Sequence, residues 1–184
     1  MRNSPDQAIL ERAKRFEAQA LEEIYDTFSP GIYRYAFRLL GDVELARECM
    51  SETFNRFLIA LKRDSGPDNY LQAYLYRIAH NWITDYYRSK VPPSLRLDVN
   101  LRADPATEPH QAVADEIESQ QLRNALSLLT PDQRQVIVLK YLEDWENESI
   151  AQTLKKPVGA VKALQHRALG ALRRIMSRYE DINL

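Results

Sequence analysis

From Asn147 to Ala168 the chain reads Asn-Glu-Ser-Ile-Ala-Gln-Thr-Leu-Lys-Lys-Pro-Val-Gly-Ala-Val-Lys-Ala-Leu-Gln-His-Arg-Ala. Asn147 is placed to cap a short helix carrying Ile150, Ala151 and Leu154, and Pro157 to open a long one running through Arg178. A short helix, a tight turn and a longer helix make the pattern of a helix-turn-helix. On the long helix, Val161, Leu164, Ala168, Leu172 and Ile175 share one face at the 3.6-residue period. Gly159, Ala163, His166, Gly170 and Arg173 then point outward, with Lys162 and Arg167 on the flanks. Small residues near the start let such a helix approach DNA closely, and Lys162, His166 and Arg167 can reach base edges or phosphates.

Charge supports a polyanionic partner. The whole chain is nearly balanced, with 25 basic against 26 acidic residues among 184. Ser149 to Tyr179, however, holds seven basic residues (Lys155, Lys156, Lys162, Arg167, Arg173, Arg174, Arg178) and no acidic one. A solvated helix face usually mixes signs, whereas one-signed clustering is an electrostatic footprint for nucleic acid. Taken alone, the segment also suits a small helical bundle with a basic surface.

Working outward, Thr130-Pro131-Asp132-Gln133 combines an N-cap Thr, a Pro at the first helical position and a Gln in capping-box register. It opens a helix to about Leu142, preceded by another through Leu122, Leu126 and Leu129. Residues 88–118 carry four of the nine prolines and show neither helical nor strand period, so 91–119 reads as a flexible, acidic linker.

The part before the linker is helical throughout. Phe16, Ala20, Ile24 and Phe28 recur at fourfold spacing; Ser29-Pro30-Gly31 is expected to interrupt them; Ile32, Tyr35, Ala36, Leu39 and Leu40 resume the stripe. After Gly41-Asp42, a stripe of Ala46, Met50, Phe54, Phe57 and Leu61 marks a long amphipathic helix with Glu44, Glu48, Glu52 and Asn55 outside. Another helix runs from Tyr70 to about Arg88 through Leu71, Leu75, Ile78, Ala79 and Trp82. The expected fold is all-α: two small helical domains, 1–90 and 120–184, joined by the linker.

That fourth helix concentrates aromatics. Tyr70, Tyr74, Tyr76, Trp82, Tyr86 and Tyr87 are six of the chain's 17 aromatic residues, interleaved with Arg77, His80, Asn81, Arg88 and Lys90. Rings stack on unpaired bases and neighbouring cations hold phosphates, so the mixture suits single-stranded nucleic acid. Core filling by Trp82 or Tyr74 is the competing reading.

Signatures of catalysis are missing. There is no G-x-x-x-x-G-K-[ST], G-x-G-x-x-G or G-x-S-x-G. Cys49 is the only cysteine and lies among apolar helix positions, as a packed thiol does. His80, His110 and His166 are too far apart for a metal-ligand spacing, so neither metal nor cofactor is expected. No apolar run approaches the roughly 20 residues of a bilayer span, and Met1 to Leu10 lacks a signal-peptide pattern. A cytoplasmic location without membrane insertion is expected.

Two separate stretches carry a family likeness. The first comprises Tyr25 to Ala36, Leu39 to Asp42, Ser51 to Phe54 and Tyr-Leu-Tyr-Arg-Ile-Ala-His-Asn (Tyr74 to Asn81). The second comprises Leu-Thr-Pro-Asp-Gln-Arg-Gln-Val (Leu129 to Val136) and Val-Gly-Ala-Val-Lys-Ala-Leu-Gln-His-Arg-Ala (Val158 to Ala168). In order and spacing they resemble a bacterial RNA polymerase sigma factor of the extracytoplasmic-function (group IV) type, over roughly residues 16–178.

The resemblance implies a promoter-directing factor without enzymatic activity of its own, whose partners are core RNA polymerase, promoter DNA and an anti-sigma protein. It implies that Val43 to Leu61 docks on the polymerase clamp through Glu48, Glu52, Asn55 and Arg56. It further implies that Asn69, Tyr70, Arg77, Asn81 and Trp82 contact bases of the opened minus-10 element, with Arg88 and Lys90 on phosphates. Lys162, Ala163, His166 and Arg167, with Arg173 beyond them, fall where the family reads the minus-35 element. Two positions depart from the family pattern: Ser149 stands where an acidic residue is common, and Lys155 where the turn glycine usually sits, so that either a lysine takes an unfavourable positive φ or the turn differs, and the aim of the last helix is left open between the two. The rival readings are a stand-alone helix-turn-helix regulator, which would dimerise on two half-sites, and a helical protein-interaction module with no salt-dependent DNA affinity.

Overall fold

The computed structural model describes residues 5–90 and 112–182, with side chains over 7–89 and 120–177. The described residues are helical: α1 (Pro5–Lys14), α2 (Ala18–Leu40), α3 (Val43–Lys62) and α4 (Leu71–Lys90), then α5 (Ala112–Ser127), α6 (Pro131–Ile137), α7 (Asn147–Leu154) and α8 (Val158–Ile182).

In the first group, α2 runs unbroken through Pro30, so the expected interruption at Ser29-Pro30-Gly31 does not occur. An internal proline costs about 3 kcal/mol. Ala20 and Ile24 on one side of it, and Ile32, Tyr35, Ala36 and Leu39 on the other, occupy one buried face. Burying a large apolar side chain returns about 1.5–3 kcal/mol, so the shared face outweighs the proline. Phe16, expected at the head of that stripe, lies instead in the α1–α2 turn at φ 57°, 46% exposed. Gly41 ends α2 at φ 68°, donating its N–H to the Phe37 carbonyl at 2.8 Å. Asp42 then caps α3 by accepting from the Leu45 N–H at 2.8 Å. On α3, Cys49, Thr53, Phe54 and Phe57 are buried, with the Thr53 hydroxyl donating to the Cys49 carbonyl.

In the second group, α5 begins at Ala112, inside the segment 91–119 expected to be linker. Ala112-Val-Ala-Asp-Glu-Ile-Glu-Ser holds neither proline nor glycine, and its helix formers extend the turns that bury Ala125 and Leu126. Leu122, expected in the apolar stripe, is 37% exposed. The Thr130 capping box forms in both directions: the Gln133 N–H donates to Thr130 Oγ1 (3.4 Å) and the Thr130 N–H to Gln133 Oε1 (3.2 Å). After Ile137 the helix loosens into a single π-helical stretch, Val138–Leu142, a feature that often marks functional positions. Glu146 rather than Asn147 occupies the N-cap of α7, and makes no side-chain cap. Asn147 is used across the motif: Gln165 Nε2 on α8 donates to Asn147 Oδ1 at 2.6 Å.

The two groups pack against each other, and buried residues of both join one apolar cluster. α4 lies against α7, and α2 against α5. Arg134 on α6 sits 4.4 Å above the Tyr87 ring of α4. Tyr35 and His80 share a buried hydrogen bond of 2.8 Å.

Candidate nucleic-acid interface

The turn between α7 and α8 settles how α8 is aimed. Lys155 adopts φ 54°, ψ 43°, so of the two alternatives the turn keeps its left-handed residue and a lysine takes that conformation. The Lys156 N–H donates to the Ala151 carbonyl at 3.0 Å, closing the end of α7. Lys156 Nζ also lies 3.0 Å from Asp132 Oδ2 of α6. Val161 and Ala168 are buried beside Ile150 and Ala151. That inward face leaves Lys162, Ala163, His166, Arg167 and Arg173 all exposed, on the side that the 3.6 period assigns to them. Gly159 has nothing within 4 Å of where a Cβ would stand. Packing within the chain therefore does not call for glycine there.

The second cluster is built by the loop after α3. Asp64 and Tyr70 both take positive φ, 51° each, so the chain reverses sharply at each end of the segment 64–70. Between them the Ser65 N–H donates to the Ala60 carbonyl at 2.9 Å, and Pro67 is buried. Lys14 of α1 reaches the loop through a 2.6 Å ion pair with Asp68, which raises the lysine's pKa. Asn69 and Tyr70 are exposed, Tyr70 by 52%. They border a groove of about 500 Å³ that continues along Tyr74 and Arg77, where the Arg77 guanidinium lies 5.4 Å from the Tyr74 ring. Farther along α4, Asn81 and Arg88 are exposed, and the Trp82 and Tyr86 rings stack at 5.7 Å and 8°. The Lys90 side chain lies outside the described residues.

Not every aromatic of α4 is free for bases. Tyr76 is buried 4.7 Å from Trp145 (ring centroids), and Tyr87 is half-buried beneath Arg134. His80, also in that stretch, is buried, and burial first, then the Arg134 charge, pushes its pKa down to about 4. These three face the second helical group. Gln152, which sequence reading missed, and Lys155, read there only as a turn residue within the basic cluster, line the same groove as Asn69 and Tyr70. Nothing local could have placed them beside that groove, since they come from a distant part of the chain.

On α3, Glu48, Asn55 and Arg56 are exposed. Glu52 is half-exposed and accepts from Arg56 Nε at 2.7 Å and Asn55 Nδ2 at 3.1 Å, which lowers its pKa. Leu58 and Ile59 stand exposed one turn on, an apolar addition that the charged reading of this face overlooked. Cys49 is packed as expected, its thiol pushed up to about 12 by burial. Among the described residues no cluster of His, Cys, Asp and Glu could hold a metal ion, and no helix is long and apolar enough to cross a membrane.

Both stretches that carry the likeness match family models. Residues 24–91 match Sigma-70 region 2, and residues 119–172 match Sigma-70 region 4. The chain is 33% identical over 177 residues to the ECF RNA polymerase sigma factor SigW of Bacillus subtilis, covering 90% of this chain and 93% of that protein. It is 30% identical over 173 residues to the ECF RNA polymerase sigma factor BldN of Streptomyces coelicolor, covering 91% of this chain and 64% of that protein. The fold resembles that of CnrH, solved in complex with the cytosolic domain of CnrY, with a TM-score of 0.69 at 21% identity over 95% of this chain and 99% of that one. It also resembles the sigma factor RpoE of Bartonella quintana, solved with the anti-sigma factor NepR, with a TM-score of 0.59 at 21% identity over 85% of this chain and 96% of that one.

Proposed function

The chain belongs to the ECF branch of the sigma-70 family, and from that premise we propose that it binds core RNA polymerase and directs promoter-specific initiation, reading a minus-35 and a minus-10 element. Matches to regions 2 and 4, in that order, support this over a stand-alone helix-turn-helix regulator, which needs only the second.

The observation that carries the reading is the exposed face of α8. Lys162, His166 and Arg167 stand there on a helix held from behind by α6 and α7. In a major groove their donors reach base edges and phosphates, and Ala163 and Gly159 let the backbone come close. Arg173 contacts phosphate farther along. On the other domain, Asn69, Tyr70 and Arg77 border a groove large enough for an unstacked base, with Asn81 and the Trp82–Tyr86 stack along the strand's path. Arg88 and Lys90 neutralise phosphates. The outer face of α3, with Glu48, Glu52, Asn55 and Arg56, meets the polymerase.

Unstacking costs a few kcal/mol per base, while stacking returns about 1–3, so the opened strand is held only with polymerase contacts added. All bond-making belongs to the polymerase, and the chain works in the cytoplasm. An anti-sigma protein holds it inactive by covering these surfaces.

Run-off transcription with purified core polymerase on genomic DNA tests the proposal. New, reproducible start sites appear when this chain is added. Core enzyme that gains none overturns it.

A further inference from the structure

The loop that carries Asn69 and Tyr70 is fastened more firmly at its start than at its end. Ser65 bonds the Ala60 carbonyl through its N–H at 2.9 Å and its hydroxyl at 3.3 Å. A Cβ on Gly66 would stand 2.8 Å from Leu61 Cδ2, so the chain there lies close on the buried end of α3, and Pro67 is buried after it. Beyond that point the backbone has no such anchor. Among the described residues, neither Asp68 nor Asn69 makes a backbone–backbone hydrogen bond before the Tyr74 N–H meets the Tyr70 carbonyl. Tyr70 nonetheless takes φ 51°, a left-handed conformation disfavoured for a residue with a Cβ and kept only where surrounding contacts hold it.

The missing anchor comes from α1. Leu10 and Ala13 are fully buried, and the turn that follows is laced by Glu17, which accepts from Arg12 Nε at 3.1 Å and from Arg15 Nε at 3.0 Å. Lys14, set between these fixed points, has a side chain 24% exposed, against 86% for Asp68, and the two meet at 2.6 Å. The lysine is thus the seated partner and the aspartate the one held. Glu11, 3.8 Å away, and Asp64, at the loop's other bend, add negative field around the same ammonium. Asp68 immediately precedes Asn69 and Tyr70, and all three border one groove. The region 2 match begins at residue 24, after α1.

We propose that Lys14 is a positioning residue for minus-10 reading: through Asp68 it holds Asn69 and Tyr70 at the mouth of the groove, and so sets how strictly the loop discriminates among bases. The proposal rests on the assignment of Asn69 and Tyr70 to that element. An ion pair with so exposed a partner contributes little to global stability, so its loss loosens the reading loop and leaves the fold in place. Lys14 acts without touching a nucleotide. A lysine that held a phosphate would instead strengthen every sequence alike and carry its own share of the salt dependence.

The test uses the full chain with core polymerase on a promoter from which it starts transcripts, each base pair of the minus-10 element being replaced in turn. The quantity read is the ratio of transcript from the parent template to that from each replaced one. Lys14→Ala and Asp68→Asn should each lower that ratio at least about fivefold at one position, the least that losing a good base contact costs. The double variant should lower it no further than either single change, and Lys14→Arg should preserve it. The slope of initiation against salt and the circular dichroism melt should match those of the wild-type chain. If Lys14→Ala unfolds, Asp68→Asn carries the test. Unchanged ratios in a folded single variant, additive losses in the double variant, or a uniform loss on every template with a flatter salt slope would each overturn the proposal. A wild-type chain that starts no transcript, or shows no preference at any minus-10 base, overturns the underlying reading and the proposal with it, a result distinguished by appearing before any variant is made.

Discussion

The guanidinium of Arg134 lies 4.4 Å from the ring centre of Tyr87, a residue 47 positions earlier, and beneath it donates to the carbonyls of Leu126, Ser127 and Leu129. One side chain thus closes the end of α5 and binds α6 to the first helical group. Each of these carbonyls loses a donor if it is removed, Leu126 alone keeping the Leu129 N–H as a recorded partner, in a site where the guanidinium itself is buried. Arg134→Met is expected to destabilise the chain by about 3 kcal/mol, read as a lower urea midpoint with unchanged slope. Tyr87→Leu, which keeps Arg134's three carbonyl bonds but loses the Tyr87 hydroxyl's bond to the Leu39 carbonyl, should cost less than that.

His80 makes stability depend on pH. Its imidazole is buried against Tyr35, Thr84 and the α6 start, near the Arg134 cation and the Asp132 carboxylate. Its pKa lies at about 4 against an ordinary value near 6.5, because burial and Arg134 disfavour the imidazolium. The unfolded chain therefore binds a proton first. The stabilisation is complete above pH 6.5 and is lost as pH falls toward 4, by up to about 3 kcal/mol. Denaturant titrations at pH 7.5, 6 and 5 should show a decline that His80→Gln flattens; equal slopes for both proteins would refute the assignment.

Lys155 holds a backbone conformation that costs a residue with a Cβ roughly 1 kcal/mol. Lys155→Gly should raise the melting temperature by several degrees despite the loss of a side chain, since glycine takes φ 54° without strain. The reverse holds at Gly41. There a Cβ would stand 2.5 Å from Arg123 Nε as well as at positive φ, so Gly41→Ala should lower it.

On α8, Arg167 and Lys162 differ in what their loss reveals. An arginine paired with a base edge is worth about 1–3 kcal/mol of discrimination, so Arg167→Ala should cut transcription from a minus-35-dependent promoter roughly 5- to 150-fold. Lys162→Ala, if its contact is a phosphate, should weaken all sequences alike and flatten the salt dependence. Binding to core polymerase, measured by co-elution, should not change in either case.

Local pattern made much of this legible. The Thr130 capping box and the inward face of α8 are short-range consequences of hydrogen-bonding capacity and helical period, and each formed as read. The reading faltered where a local rule met a distant partner. Pro30 breaks helices in isolation, but its helix is held by a face packed along its whole length. Asn147 is a good cap by type, yet α8 offered it Gln165 instead. Tyr76, His80 and Tyr87 looked like partners for bases until a second helical group was found packed over them.

By itself, then, the order of residues settled the all-helical class, most of the inner faces, the helix-turn-helix and the family, because those depend on neighbours within a few positions along the chain. Tertiary structure alone decided which of the polar and aromatic side chains remain available. Arg38 with Glu143, and Tyr70 with Lys155, are brought together by docking between groups more than 80 residues apart, and no periodicity in a linear string encodes that meeting.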